Sequence, residues 1–288
     1  MNSQAKSRIL LANLVAQTGI VVTGAIVRLT SSGLGCPSWP ECVPGSVVPT
    51  SAQTQAWHKY IEFGNRTLTS VLVIVALLTI FAMRGERKEL RKLSYGTLAG
   101  IFGQALLGGV TVLTGLNPLA VGSHFLLSIW LISVAYALKF QFANPTYVPT
   151  VHPVIQKTIQ FHSLLAVIVL VIGTLVTGSG PHAGDKADIT RLPFDPRMIS
   201  WLHADVVLLF IGLSIGIAIA LKATAATAQI TKAAFIVVGV SLAQGLIGYV
   251  QYFTALPWVL VGFHVFGACL LWISVMKLRR NALPASSY

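Results

Sequence analysis

A chain of 288 residues with 55% hydrophobic and only 10% charged side chains, and a mean hydropathy of +0.76, cannot keep a hydrated surface around an apolar core. The composition excludes an ordinary soluble domain, and the long unbroken apolar runs exclude a barrel of short alternating strands. The net charge of +12 carries no nucleic-acid signature; its distribution along the chain is an orientation signal.

About 20 apolar residues cross the roughly 30 Å hydrocarbon layer of a bilayer. Eight stretches meet this requirement, at about residues 10–28, 64–83, 94–114, 119–138, 160–177, 201–221, 232–253 and 257–276. The first follows Lys6 and Arg8 as a signal peptide would, yet it is long and no small-residue cleavage site follows it, so it reads as a retained span. The loop after it, "RLTSSGLGCPSWPEC" from Arg28 to Cys42, places Cys36 and Cys42 on either side of a five-residue gap that contains two prolines. That spacing suits a small closed loop without proving a bond, and a structural staple and a redox role are equally open.

The second span opens with "YIEFGNRTLT", Tyr60 to Thr69. His58, Glu62 and Asn65 share one helical stripe there, and Glu62 stands four residues before Arg66, the spacing of an exposed ion pair. Span 4 carries His124, the loop after span 5 carries His182, span 6 carries His203, and span 8 carries His264 and Cys269. Arg28 and Arg66 fall at the same rim, where they serve either as interfacial anchors or as partners of anionic groups. In an alternating eight-span topology, 14 of the 20 basic residues fall on the side of both termini, while Glu41, Glu62, Asp185, Asp188, Asp195 and Asp205 fall on the other. The termini are therefore expected in the cytoplasm and the histidine-rich ends toward the outer face.

The chain also repeats itself. "FGQALLGGVTVLTGLNPLAVGSHFLLSIWLIS" (Phe102–Ser133) lies over "LAQGLIGYVQYFTALPWVLVGFHVFGACLLWIS" (Leu242–Ser274), matching Gln104 to Gln244, Gly108 to Gly248 and His124 to His264, each 140 positions apart. A weaker echo joins the segments from Val21 and Val171. The expected fold is an all-α integral membrane protein of eight transmembrane helices in two pseudo-symmetric four-helix bundles, residues 1–142 and 143–288, joined through "FANPTYVPTVHP".

Imidazoles near the ends of membrane spans are costly and mark function more often than structure when several share one depth. His203 and His264, on the second and fourth helices of one bundle, suit the two axial positions of a haem iron. Zinc fits poorly, because no further Cys, Asp or Glu accompanies them at ligand spacing. In the first bundle His124 repeats His264, but the counterpart of His203 falls at Asn65, whose amide is a poor iron ligand. His58 lies two turns away, roughly 10 Å along the axis, and serves only if the helix start is rebuilt. Gln104 and Gln244 are expected to hydrogen-bond within the bundles, the alternative being bonds that support the histidines.

Taken together, the eight spans, "RLTSSGLGCPSWPEC", "IEFGNR", "VGSHFLLS", "LVTGSGPHAG", "LHAD" and "GFHVFGA" resemble the haem A synthase family, over nearly the whole chain. The resemblance implies an oxidoreductase that uses molecular oxygen to convert a methyl group of haem O to the formyl group of haem A. It implies haem b on His203 and His264, a substrate-haem site in the first bundle with His124 as iron ligand, and Glu62 as the catalytic carboxylate. Asn65, Arg28 and Arg66 would border that substrate. The resemblance also implies a Cys36–Cys42 pair concerned with haem transfer or redox chemistry. It further implies a haem O synthase as donor, an electron donor the residues do not name, the lipid bilayer as surroundings, and compatibility with a homo-oligomer. The family commonly has a histidine where this chain has Asn65, so single ligation of the substrate haem is expected here. The rivals are a di-haem electron-transfer cytochrome, which needs two fully ligated haems, and a repeat-built transporter with Glu62 as coupling site, which needs polar residues at mid-membrane.

Overall fold

The computed structural model describes residues 1–149, 151–185 and 189–283. Lys186 and Asp188, which the sequence assigns to the outer side, lie outside the described residues. Among the described residues eight helices follow one another: α1 (Ser3–Leu29), α2 (His58–Met83), α3 (Lys88–Leu113), α4 (Pro118–Ala143), α5 (Pro153–Ser179), α6 (Pro196–Ala223), α7 (Ala228–Phe253) and α8 (Trp258–Ala282). Every one is long and apolar enough to cross a bilayer. Inside lipid each backbone N–H and C=O must be satisfied within its own segment, which is why such sequence becomes helix.

Start signals are chemical and local. Pro118, Pro153 and Pro196 each occupy the first helical position, where a missing N–H costs nothing. Side chains of Asn2, Asn117, His152 and Asp195 accept bonds from the first-turn N–H groups of their helices. α2 starts at His58, six residues before the apolar run that marks its span, so Glu62 and Asn65 are fully helical.

In the first half α1 packs on α2 and α4, and α3 on α2 and α4; in the second, α5 packs on α6 and α8, and α7 on α6 and α8. The same closed ring of neighbours thus occurs twice, four helices apart. The rings meet where α1 and α4 touch α8 and α4 touches α5. One apolar core runs through this contact, taking Leu14, Val21, Ile129 and Ile132 together with Ile159, Val169, Phe210 and Val237. Within it the Trp272 indole N–H donates to Ser133 Oγ at 2.7 Å. Large apolar side chains such as Leu77, Leu78, Leu208, Leu209 and Phe263 stay exposed, as a lipid-facing surface requires.

The turn between α3 and α4 and the turn between α7 and α8 share a backbone conformation. Gly115 and Leu116 have φ of 61° and 60°, and Ala255 and Leu256 have 59° and 57°. Leu116 N donates to Thr111 O, and Leu256 N to Gln251 O, both at 2.7 Å. These two turns lie 140 residues apart, the offset at which the sequences match.

The even-numbered turns and both termini gather at one end. Lys6 pairs with Glu86 at 2.6 Å there, and the Tyr147 hydroxyl donates to Asn281 O at 2.8 Å. The long loop after α1 shares the other end with the α3–α4, α5–α6 and α7–α8 connections. Gly33 N donates to Gly184 O at 2.7 Å, and a hydrogen bond of 2.9 Å joins His182 Nε2 to Leu256 O. We refer to this as the loop end; the site lies just beneath it.

Candidate functional site

Three histidines lie about two turns below the loop end, and each rests against a glycine of the preceding helix. A β-carbon placed on Gly108 in α3 would lie 3.4 Å from His124 Cε1, one on Gly173 in α5 would lie 3.3 Å from His203 Cε1, and one on Gly248 in α7 would lie 3.7 Å from His264 Cε1. Glycine gives each ring room against the neighbouring backbone. The Nδ1 atoms of all three are buried without a hydrogen-bond partner. A buried polar atom left so costs free energy; His162 Nδ1 in the core is left so too, and it is the glycine seat that sets these three apart.

The glutamines of the repeat stand beneath these rings. Gln104 Nε2 donates to Ser128 Oγ at 2.6 Å and to the His124 carbonyl at 3.1 Å, fixing the α3–α4 pair below the imidazole. Gln244 is buried directly against Gly267, with no room for a β-carbon there.

In the first half the fourth position is different. The Thr23 hydroxyl lies 3.1 Å from Ile20 O and donates at 2.7 Å to Asn65 Oδ1. His58 does not approach this position. Its Nδ1 is 3.0 Å from Ser32 Oγ, and its ring stacks on Trp57 with centroids 4.1 Å apart.

Above Asn65 the loop after α1 forms a lid. Cys36 and Cys42 are joined as a disulfide, both fully buried. Glu62, 5% exposed, receives the Cys36 N–H on Oε2 at 2.5 Å and the Arg66 guanidinium on Oε1 at 2.6 and 3.1 Å. Arg66 also donates to the carbonyls of Cys36 (2.6 Å), Ser38 (2.9 Å) and Glu41 (3.2 Å). The Glu62–Arg66 pair, read from sequence as an ordinary ion pair of adjacent turns, is therefore also the clamp of the disulfide loop. Trp39 of the same loop lies flat on Gly109, next to the glycine beneath His124; a β-carbon at 109 would fall 2.6 Å from its indole. Nothing in the sequence announces this contact, because a glycine inside a span has many uses.

Arg28 points toward the other half. Its Nε donates to His182 O at 2.7 Å and its Nη2 to Thr177 O at 2.8 Å, bracing the α5–α6 loop. His162, outside this site, is a fully buried core residue with Nε2 2.8 Å from Ser214 Oγ and its ring stacked on Phe210. Cys269 is a buried free thiol. Among the described residues no three His, Cys, Asp or Glu side chains gather as ligands of a metal ion.

The family model described as cytochrome oxidase assembly protein (COX15-CtaA) matches residues 7–276. The chain belongs to this family. Similar curated proteins include the heme A synthase of Lysinibacillus sphaericus (strain C3-41), 36% identical over 123 residues, which are 41% of this chain and 38% of that relative. The heme A synthase of Geobacillus thermodenitrificans is 33% identical over 102 residues, 34% of this chain and 30% of the relative. That of Bacillus licheniformis (strain ATCC 14580) is 30% identical over 172 residues, 57% and 54% of the two chains. The first two matches thus span about a third of the relatives' length. As a member of the family with eight apolar helices, the chain is a multi-pass membrane protein.

Proposed function

We propose that this protein is a haem A synthase, an oxidoreductase that oxidises a methyl group of haem O to the formyl group of haem A. The observation that carries the reading is the set of three imidazoles, His124, His203 and His264, each seated on a glycine with a buried, unpartnered Nδ1, in a member of this family. Residues 143–288 would hold haem b between His203 and His264, and residues 1–142 would hold haem O as substrate, with His124 toward its iron. Bound haem supplies one-electron redox chemistry and, where an axial position is open, oxygen chemistry.

The residues of the chain have their own tasks. Gln104 ties α3 to α4 at the His124 backbone carbonyl and Ser128, which holds the helix that carries His124 in place. Glu62 is held on the side facing the disulfide loop, and hydroxylation with molecular oxygen consumes protons, so a fixed carboxylate at the rim of the substrate half serves as proton donor and acceptor. Arg28 and Arg66 add positive charge at the same end, where haem propionates would lie. The disulfide lid, with Trp39 on Gly109, keeps bulk water from this half. The basic excess at the opposite end supports a cytoplasmic location for that end and both termini, with the site toward the outer face. A haem O synthase is the expected donor of substrate.

The test is the pigment content of protein purified after co-expression with a haem O synthase. Haem B with haem O and haem A is expected, with haem B lost when His203 or His264 is replaced. Haem B alone at two per chain would instead identify an electron-transfer cytochrome.

A further inference from the structure

The helix register gives the fourth axial position a counterpart on two helices, and both residues differ. Counted from helix starts at Pro118 and Trp258, His124 and His264 are both seventh; from starts at Lys88 and Ala228, Gly108 and Gly248 are both twenty-first. Counted from His58 and Pro196, Asn65 and His203 are both eighth. From Ser3 and Pro153, Thr23 and Gly173 are both twenty-first. Three of the four places therefore hold an imidazole over a glycine, and the fourth holds an asparagine hydrogen-bonded to a threonine at 2.7 Å.

Volume makes the two changes one. A bare β-carbon at Gly173 would already come within 3.3 Å of the His203 ring. A threonine carries a methyl and a hydroxyl beyond that carbon, in the space the ring fills. At the corresponding place the Thr23 side chain would exclude an imidazole from position 65. The shorter Asn65 fits, and the Thr23 hydroxyl ties down its Oδ1, the one amide atom able to approach a metal.

We propose that Thr23 and Asn65 form a paired, non-ligating end of the first-half site, so that haem iron held there is ligated by the protein through His124 alone. Thr23 is a positioning residue in this scheme: it determines whether position 65 is able to ligate. The proposal rests on the haem-site reading given above and adds to it a residue that neither the motifs nor the family match single out.

The test is spectroscopic. Electron paramagnetic resonance and optical spectra of the purified, haem-loaded protein should show one low-spin centre, abolished by His203→Ala, and one high-spin centre, abolished by His124→Ala. Asn65→His alone should leave the second centre high-spin, and so should Thr23→Gly alone. The double variant Thr23→Gly/Asn65→His should convert most of it to low-spin. Thr23→Ala/Asn65→His provides a milder helix change and should convert it in part. In the Thr23, Asn65 and His124 variants the low-spin signal of the second half reports that the protein is folded. Full conversion by Asn65→His alone overturns the proposal, as does failure of both double variants to convert a high-spin centre that persists and still depends on His124. Absence of any haem signal dependent on His124 overturns the haem-site reading itself, and the pairing with it.

Discussion

Glu62 carries two obligations at the scale of single residues, one to the loop and one to the proposed chemistry, and substitution separates them. In Glu62→Gln the amide oxygen is still able to accept the Cys36 N–H, while the ionic partner of Arg66 is lost. We expect haem A output to fall by about 100-fold or more, the usual range for a lost acid–base group, with haem b content unchanged; full output would remove the proton-transfer role. Arg66→Lys acts on the loop instead, because an ammonium cannot reproduce the fork that reaches Glu62 and three carbonyls at once. The Cys36–Cys42 bond should then be reduced by dithiothreitol about tenfold faster, as read by alkylation and mass; an unchanged rate would show that the clamp does not protect the disulfide. A further change tests the core. Ser214→Ala leaves the fully buried His162 Nε2 without its partner and should cost about 1–3 kcal/mol, measured as a lower thermal midpoint in detergent.

Element by element, much could be read from apolar length and internal repetition, and the remainder shows why some features could not. The eight spans, the cysteine loop and the 140-residue offset needed only composition and spacing. The stretch from His58 to Phe63 fell outside the second apolar run because Lys59 and Glu62 interrupt it, yet it is helical, with both polar groups satisfied by the loop. The Trp39–Gly109 contact and the Thr23–Asn65 bond join residues 70 and 42 positions apart and leave no periodic trace. The paired turns were equally hidden, since left-handed backbone is expected of glycine and only Gly115 is one. That asymmetry yields a reciprocal prediction. Ala255 is exposed with φ of 59°, so Ala255→Gly should stabilise by up to about 1 kcal/mol, and Gly115→Ala, at φ of 61°, should destabilise by a similar amount. Thermal midpoints moving in the same direction for both would contradict a shared turn conformation.

For the molecule as a whole, the question is whether the two rings of helices behave as one body. Each would hold a different haem in the proposed reaction, yet a single core passes between them, and their loops interlock through Arg28, Gly33, His182 and Gly184. Gly33 is the sensitive point. A β-carbon there would lie 2.8 Å from both the Gly184 carbonyl oxygen and Leu116 Cδ1, so the smallest substitution must push the loops apart. Relief by moving Gly184 is hindered because that residue already sits at φ of 111° and packs on Leu116 and Arg28. Gly33→Ala should therefore cost about 1–3 kcal/mol, the range for overpacking a well-filled contact. The informative readout is located in the other half. If the shared core couples the rings, this change in the first half lowers the temperature at which haem b leaves His203 and His264, in step with the loss of tryptophan fluorescence. An unchanged release temperature, with global unfolding shifted, would mean that the second ring stands on its own and that the loop contacts merely align two independent sites.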